Sequence, residues 1–292
     1  MNIKILTDSC CDLPLSFVAS NSDLLEVLGM PIQIQGREII DDLGKSFDRS
    51  EFYGLLRQGI MPTTSQINAF RFEEAFKAAH NEGKAIIYLG FTSGMSGTLN
   101  SATLAKQLVL DDYPEAEIHI VDTLSASIGQ GALIVEALKQ ARSGVNASDI
   151  EAWANRVKLQ THHWFGVDDL NYLKNGGRIS HVSAMVGSML NVKPTLGVDH
   201  EGKLKPYGNV RGRKKSIAQL ATKFSEHYSA AHQSTVIVGH GNCPEDAALL
   251  VDQLRQIDSE VDILVTELSM TIASHVGPNM IAVAFIGDER EN

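Results

Sequence analysis

The chain has 292 residues, 43% hydrophobic and 21% charged, a balance that suits two packed α/β domains with ample core and excludes a disordered or fibrous chain. Its formal net charge of −10 argues against nucleic acid or an anionic membrane surface as the main partner, and obliges any anionic ligand to be held by local donors against the global field. No apolar run approaches the roughly 18 residues of a membrane span, the first residues read as a strand rather than a signal peptide, and three cysteines without a C-x-x-C make no disulfide framework, so a cytoplasmic protein with no stable membrane insertion is expected.

In chain order, Ile3 to Leu6 reads as a strand and Leu25 to Ile34 holds a second. Asp48 or Ser50 can cap a helix running through Arg57, with Gly59 ending it. Asn68 opens a helix whose apolar Phe72, Ala75, Phe76 and Ala79 recur at helical spacing, closed by Gly83. A strand at 85–89, a helix at 96–109, a strand at 118–121 and long helices over about 125–142 and 148–159 follow. This alternation is the pattern of a parallel, Rossmann-like sheet with flanking helices.

The second half differs. A strand at 161–167 leads to the Gly-rich turn Asn175-Gly176-Gly177 and a short helix holding Met185 and Met189. Strands at 195–198 and 203–207 flank His200-Glu201-Gly202, a hairpin signal. A basic helix at 212–228, strands at 235–238 and 262–266 around a helix at 244–256, and a last strand at 281–285 complete the pattern. The fold class is therefore α/β in two domains, an N-terminal parallel sheet domain over 1–160 and a C-terminal mixed α/β domain over 161–292.

The usual catalytic signatures fail. There is no G-x-x-x-x-G-K-[ST]. Gly129-Gln130-Gly131 carries Ile134 where a dinucleotide fingerprint needs its third glycine. Gly94-Met95-Ser96 is followed at once by Gly97, so no G-x-S-x-G elbow forms. None of the ten histidines shows metal-ligand spacing, and adjacent His162 and His163 on a strand point to opposite faces. No catalytic residue, metal or cofactor is expected.

Two hydroxyl-rich loops remain. Pro62-Thr63-Thr64-Ser65-Gln66 precedes a helix, and Thr92-Ser93-Gly94-Met95-Ser96-Gly97-Thr98 lies between a strand and a helix. Both sit where unpaired N–H groups and the positive end of a helix dipole favour anions, and Gly94 and Gly97 would let a ligand approach the backbone. Ordinary N-capping explains the same residues. Arg211, Arg213, Lys214 and Lys215 open a helix against its dipole, suggesting an anion or acidic partner nearby, or simply a solvated face. His275-Val276-Gly277-Pro278-Asn279 reads as a loop with a satisfied histidine.

Taken in order, Thr7-Asp8-Ser9, Thr64-Ser65-Gln66, Ser93-Gly94-Met95-Ser96-Gly97-Thr98, Leu173-Lys174-Asn175-Gly176-Gly177-Arg178-Ile179-Ser180, Arg211-Gly212-Arg213-Lys214-Lys215 and His275-Val276-Gly277-Pro278 resemble the DegV family over essentially the whole chain. The resemblance implies a two-domain α/β protein holding a long-chain fatty acid, palmitate for example, between its domains. It also implies, for some members, service as the binding subunit of a fatty acid kinase, which would be the protein partner. It carries the carboxylate-holding hydroxyls to Thr64 and Ser96, with Gly97 beside them, and places His275 and Arg211 near the head group or the partner surface. Departures are Ile67 for a proline, Asn279 for a glycine after Gly-Pro, and Cys10-Cys11 for small residues. Hydroxyls, backbone N–H groups and two helix N-termini are then expected to hold the carboxylate without a buried counter-ion. The rival readings are a serine hydrolase of acyl esters, with Ser96 as nucleophile and His275 as base, and a nucleotide-dependent kinase.

Overall fold

The computed structural model describes residues 3–178 and 192–290; the expected helix around Met185 and Met189 lies outside them. The first half runs β1 (Ile3–Asp8), α1 (Leu15–Ser20), β2 (Leu25–Leu28), β3 (Met30–Ile34), β4 (Arg37–Asp41), α2 (Arg49–Arg57), β5 (Thr63–Thr64), α3 (Ala69–Asn81), β6 (Ala85–Gly90), α4 (Thr98–Asp112), β7 (Ile118–Asp122), α5 (Ile128–Arg142) and α6 (Ala147–Val157). The second runs β8 (Thr161–Gly166), α7 (Asn171–Asn175), β9 (Val192–Val198), β10 (Leu204–Arg211), α8 (Arg213–His227), β11 (Val236–His240), α9 (Pro244–Ile257), β12 (Ile263–Glu267), α10 (Met270–Val276) and β13 (Ile281–Ile286).

The first sheet, in order β2-β1-β6-β7, is parallel at every pairing, as the alternation of strands and helices predicts. Asp48 and Asn68 cap α2 and α3 by accepting from the N–H groups of Glu51 and Arg71. The stripe Phe72, Ala75, Phe76 and Ala79 is the buried face of α3. The second sheet, in order β10-β9-β8-β13-β11-β12, is mixed: β11 and β12 are parallel and the remaining pairs antiparallel. The predicted hairpin joins β9 to β10, with Gly202 at φ +73° in its turn.

Two expectations need correction. The stretch from Leu25 to Ile34 is two strands: Ser9 Oγ accepts from the Met30 N–H at 3.1 Å, and β3 leaves the first sheet to form an antiparallel one, β4-β3-β5. The segment around Thr64 is strand β5, with Thr64 opposite Ile32, whereas α3 starts five residues later under its own Asn68 cap. Thr64 therefore does not sit at a helix N-terminus.

Helix α5 is buried over most of its length because it packs on β1 and β6 on one side and on β8, β11 and β13 on the other. Its polar Glu136, Lys139, Gln140 and Arg142 fall in the second half, where the cover ends, and the first half is almost wholly apolar. The pair Gly129-Gln130-Gly131 belongs to this packing, since a Cβ on Gly129 would strike the His163 ring. The small β4-β3-β5 sheet and α2 share a core with the second half, where Ile32, Phe52 and Leu56 meet Tyr172, Met270 and Ala273.

Candidate functional site

The molecule holds a cavity whose open space, mouth and adjoining solvent included, amounts to about 800 Å³. Both halves of the chain build it. Met30, Phe91 and Ile128 come from the first, and Phe165, Leu173 and Met280 from the second. Most of its lining is apolar, and Thr64, Ser96, Arg178 and His275 bring polar groups to the same wall.

Thr64 Oγ1 lies 2.8 Å from His275 Nε2. Sequence reading put His275 in a loop; it is in the last turn of α10. Burial, and secondarily the nearby Arg178 guanidinium, hold its imidazole down at about 4, so the ring is neutral at neutral pH. With its proton on Nε2 it donates to Thr64 Oγ1 and leaves the Thr64 hydroxyl proton for a ligand. His275 Nδ1 is buried with no hydrogen-bond partner among the described residues. The departure at Asn279 has a direct explanation. Its φ is +62°, left-handed backbone that asparagine adopts more readily than most non-glycine residues, and its side chain donates to Asp168 at 3.0 Å.

Ser96 precedes α4. Its Oγ accepts from the Thr98 N–H at 3.2 Å and lies 3.0 Å from Thr98 Oγ1. Ser96 therefore serves the start of α4 from one residue ahead of the N-cap Gly97, and it is also among the cavity-lining residues. The glycines of this loop act otherwise than expected. A Cβ on Gly94 would meet the carbonyl of Glu201 at 2.5 Å, and one on Gly97 would strike the Gln66 carboxamide. Their missing side chains admit the β9–β10 turn and Gln66, and Gly97 is not in the cavity wall.

Arg178 is the polar group that sequence reading passed over. Sequence assigns it no role within its motif, and the cavity lining includes this cation where hydroxyls and backbone N–H groups alone are expected to meet an anion. Arg178 is half-buried, its Nε donates to the Met95 carbonyl at 3.2 Å, its Nη1 donates to the Gly176 carbonyl, and it stands in the wall with Thr64 and Ser96. The converse holds for Arg211. It is exposed at the end of the edge strand β10, opposite Val192, and is not among the lining residues, because side chains on an edge strand alternate towards solvent.

Three buried carboxylates hold these parts in place. Asp8 Oδ2 accepts from Tyr88 Oη at 2.8 Å and from the Phe91 and Gln130 N–H groups at 3.2 Å, fixing the start of the Ser96 loop. Asp12 accepts from the Ser269 N–H at 2.6 Å and from Ser127 Oγ. Asp41 accepts from the Thr271 N–H and Oγ1 at 2.7 and 2.6 Å. The last two grip the N-terminus of α10, the helix that ends at His275. Burial raises the Asp12 carboxyl from 3.8 to about 7, against the lowering by its Ser127 and Ser269 bonds.

The hydrolase alternative needs Ser96 on His275 and an acid on the far imidazole nitrogen. Instead, Thr64 occupies Nε2, Ser96 is bonded to Thr98, and no described carboxylate meets Nδ1. Among the described residues no helix is long and apolar enough to cross a membrane.

A family model described as "Uncharacterised protein, DegV family" matches residues 2–288. A DegV domain-containing protein of Clostridium perfringens is 40% identical over 288 residues, 98% of each chain. A solved structure described as fatty acid binding by a DegV family protein of Thermus thermophilus aligns at TM-score 0.85 and 27% identity, over 98% of this chain and 100% of that one. DegV of Bacillus subtilis, described as a fatty acid binding protein, aligns at TM-score 0.82 and 25% identity, over 97% and 98%. Matched over nearly its whole length by the family model and by such relatives, the chain belongs to the DegV family.

Proposed function

We propose that this chain binds one long-chain fatty acid, with its tail in the apolar cavity and its carboxylate held by the hydroxyls of Thr64 and Ser96 and by Arg178. The observation that carries the reading is that both hydroxyls stand in the wall of one apolar cavity. The fatty acid bound by the Thermus thermophilus and Bacillus subtilis proteins supports it. A tail of some 14 methylenes gains up to about 11 kcal/mol at about 0.8 each, before the entropy of binding is subtracted. The carboxylate resists burial unless its oxygens are paired. Two hydroxyl donors, the start of α4 and one guanidinium meet that demand. The protein itself is then a lipid-binding protein rather than an enzyme, made of two domains meeting near Gln160, and it presents the acid to a separate fatty acid kinase.

Native mass spectrometry of the protein purified from cells tests the reading. A bound C16–C18 acid, released on denaturation, is expected. Protein free of any acyl chain, together with no saturable uptake of palmitate, would remove it.

A further inference from the structure

The second half carries a cluster that the lipid site does not use. His162 on β8, His227 at the end of α8 and Asp288 just after β13 converge from three elements, and one ligand atom from each lies within 4.8 Å of the other two. His162 Nε2 is 3.0 Å from Asp288 Oδ1 and 3.0 Å from the Asp288 carbonyl oxygen, and His227 Nδ1 is 3.1 Å from the same Oδ1. We propose that His162 Nε2, His227 Nδ1 and Asp288 Oδ1 bind one divalent ion of the zinc class.

The spacing suits it. Metal–ligand bonds of about 2.0–2.2 Å in tetrahedral geometry set ligand atoms roughly 3.3 Å apart, so an ion can replace the two N–H···O contacts with small movements. The rings are already oriented. His162 and His227 stack at 4.6 Å and 20°, with Phe285 at 5.1 Å and 10° on His162 and Trp164 at 5.6 Å and 13° on His227. Stacking, more than outer hydrogen bonds, holds them. Among the described residues the far nitrogens, His162 Nδ1 and His227 Nε2, have no hydrogen-bond partner, although Glu226 Oε2 lies 4.0 Å from the latter. On binding, each neutral ring gives the ion the lone pair of its inner nitrogen and carries its proton on the far one. That incomplete outer shell predicts affinity 10–100-fold below a fully supported site. The His162 and His227 side chains are 1% and 9% exposed and Asp288 is 61% exposed, so the ion would enter from the Asp288 side and keep water there. Two imidazoles and one carboxylate select zinc, cobalt or nickel over magnesium or calcium, which prefer all-oxygen shells.

The consequence would be structural. The Asp288 N–H donates to the His227 carbonyl at 3.2 Å, the Arg290 N–H to the Leu159 carbonyl at 2.8 Å, and Arg290 Nη1 to the Leu124 carbonyl at 3.1 Å. Arg290 Nη1 also lies 3.4 Å from Nδ1 of His163, which lines the cavity. An ion on Asp288 would pin that strap.

The test is calorimetric titration of chelator-treated full-length protein with zinc chloride, with magnesium chloride as control. The cobalt(II) absorption spectrum serves as the signature of the ligand set. One zinc equivalent is expected, with no magnesium uptake, and at least tenfold weaker zinc binding in His227→Gln and Asp288→Asn. Asp288 lies where the site meets solvent and His227 just beneath it, and circular dichroism checks that both variants fold. His232→Gln, an exposed histidine elsewhere, should leave uptake unchanged. No saturable zinc uptake by the unaltered protein, or equal uptake in the His227 and Asp288 variants, would overturn the proposal.

Discussion

Replacing Thr64 by valine keeps the shape of the side chain and deletes one oxygen. Two losses follow from the geometry. A bound carboxylate loses one hydroxyl donor, and a hydrogen bond to a charged group contributes about 1.5–3 kcal/mol, which at 1.4 kcal/mol per decade is a roughly 10- to 150-fold weaker Kd. The protein itself loses the 2.8 Å contact to His275 Nε2. Because His275 Nδ1 already has no partner among the described residues, the buried ring is left with none there, a penalty of about 1–3 kcal/mol to folding. The two effects separate by comparing head groups. Delipidated Thr64→Val and unaltered protein are titrated with palmitate and with hexadecanol by displacement of a fluorescent fatty acid, with thermal melts alongside. The variant should lose affinity for the acid and little for the alcohol, which brings no charge to be paired. Equal weakening for both, or unchanged palmitate affinity, would refute the assignment of Thr64 to the head group.

Ser96→Ala should weaken palmitate binding by a similar factor and lower stability by about 0.5–1.5 kcal/mol, because the Thr98 N–H loses its hydrogen-bond acceptor; denaturant melts read the second effect. Asp12→Asn should flatten one part of the pH–stability profile. The native state holds the Asp12 proton up to about 7, whereas the ordinary carboxyl releases it at 3.8. Its contribution is therefore fully present below that lower value and lost as pH rises through about 7. The melting temperature of the unaltered protein minus that of Asp12→Asn should fall across this window, and a difference that stays constant would count against a buried protonated Asp12. Met280→Trp should shift preference towards shorter chains, each excluded methylene forfeiting up to about 0.8 kcal/mol, as read by a chain-length series; an unaltered length preference would place the tail elsewhere.

Periodic and capped elements were the legible part of the fold. The α3 stripe, the Asp48 and Asn68 caps and the β9–β10 hairpin each carry their cause within a few residues of themselves. What escaped depends on distant partners. Nothing near Thr64 announces β5, because that strand exists only through pairing with β3. The same holds for α10, whose N-terminus is held by Asp12 and Asp41 from the other end of the chain. At the site, Thr64 and Ser96 could be named from motif resemblance, and both line the cavity. Gly97 and Arg211 could not be judged from sequence, since one needed the position of Gln66 and the other the edge placement of β10. Arg178 was missed because a motif gives a residue and not its direction. The only local signal was a cation directly after a double glycine. The His162, His227 and Asp288 group was invisible to any spacing rule, its members being joined only by sheet pairing and a helix end.

The sharing of one small core by β3, β5 and α2 with Tyr172 and α10 bears on how the molecule is made. Arg49 Nη1 donates to the Glu267 carbonyl at 2.6 Å, and Asp12 and Asp41 reach Ser269 and Thr271. During synthesis, the greasy side of the β3–β5 ribbon must therefore wait for about two hundred later residues before the α10 part of its cover exists. Contacts of such sequence separation slow folding and leave a nascent chain open to mispairing. Ribosome-tethered truncations ending before Met270 should accordingly be captured by holdase chaperones, and those extending past Val276 released.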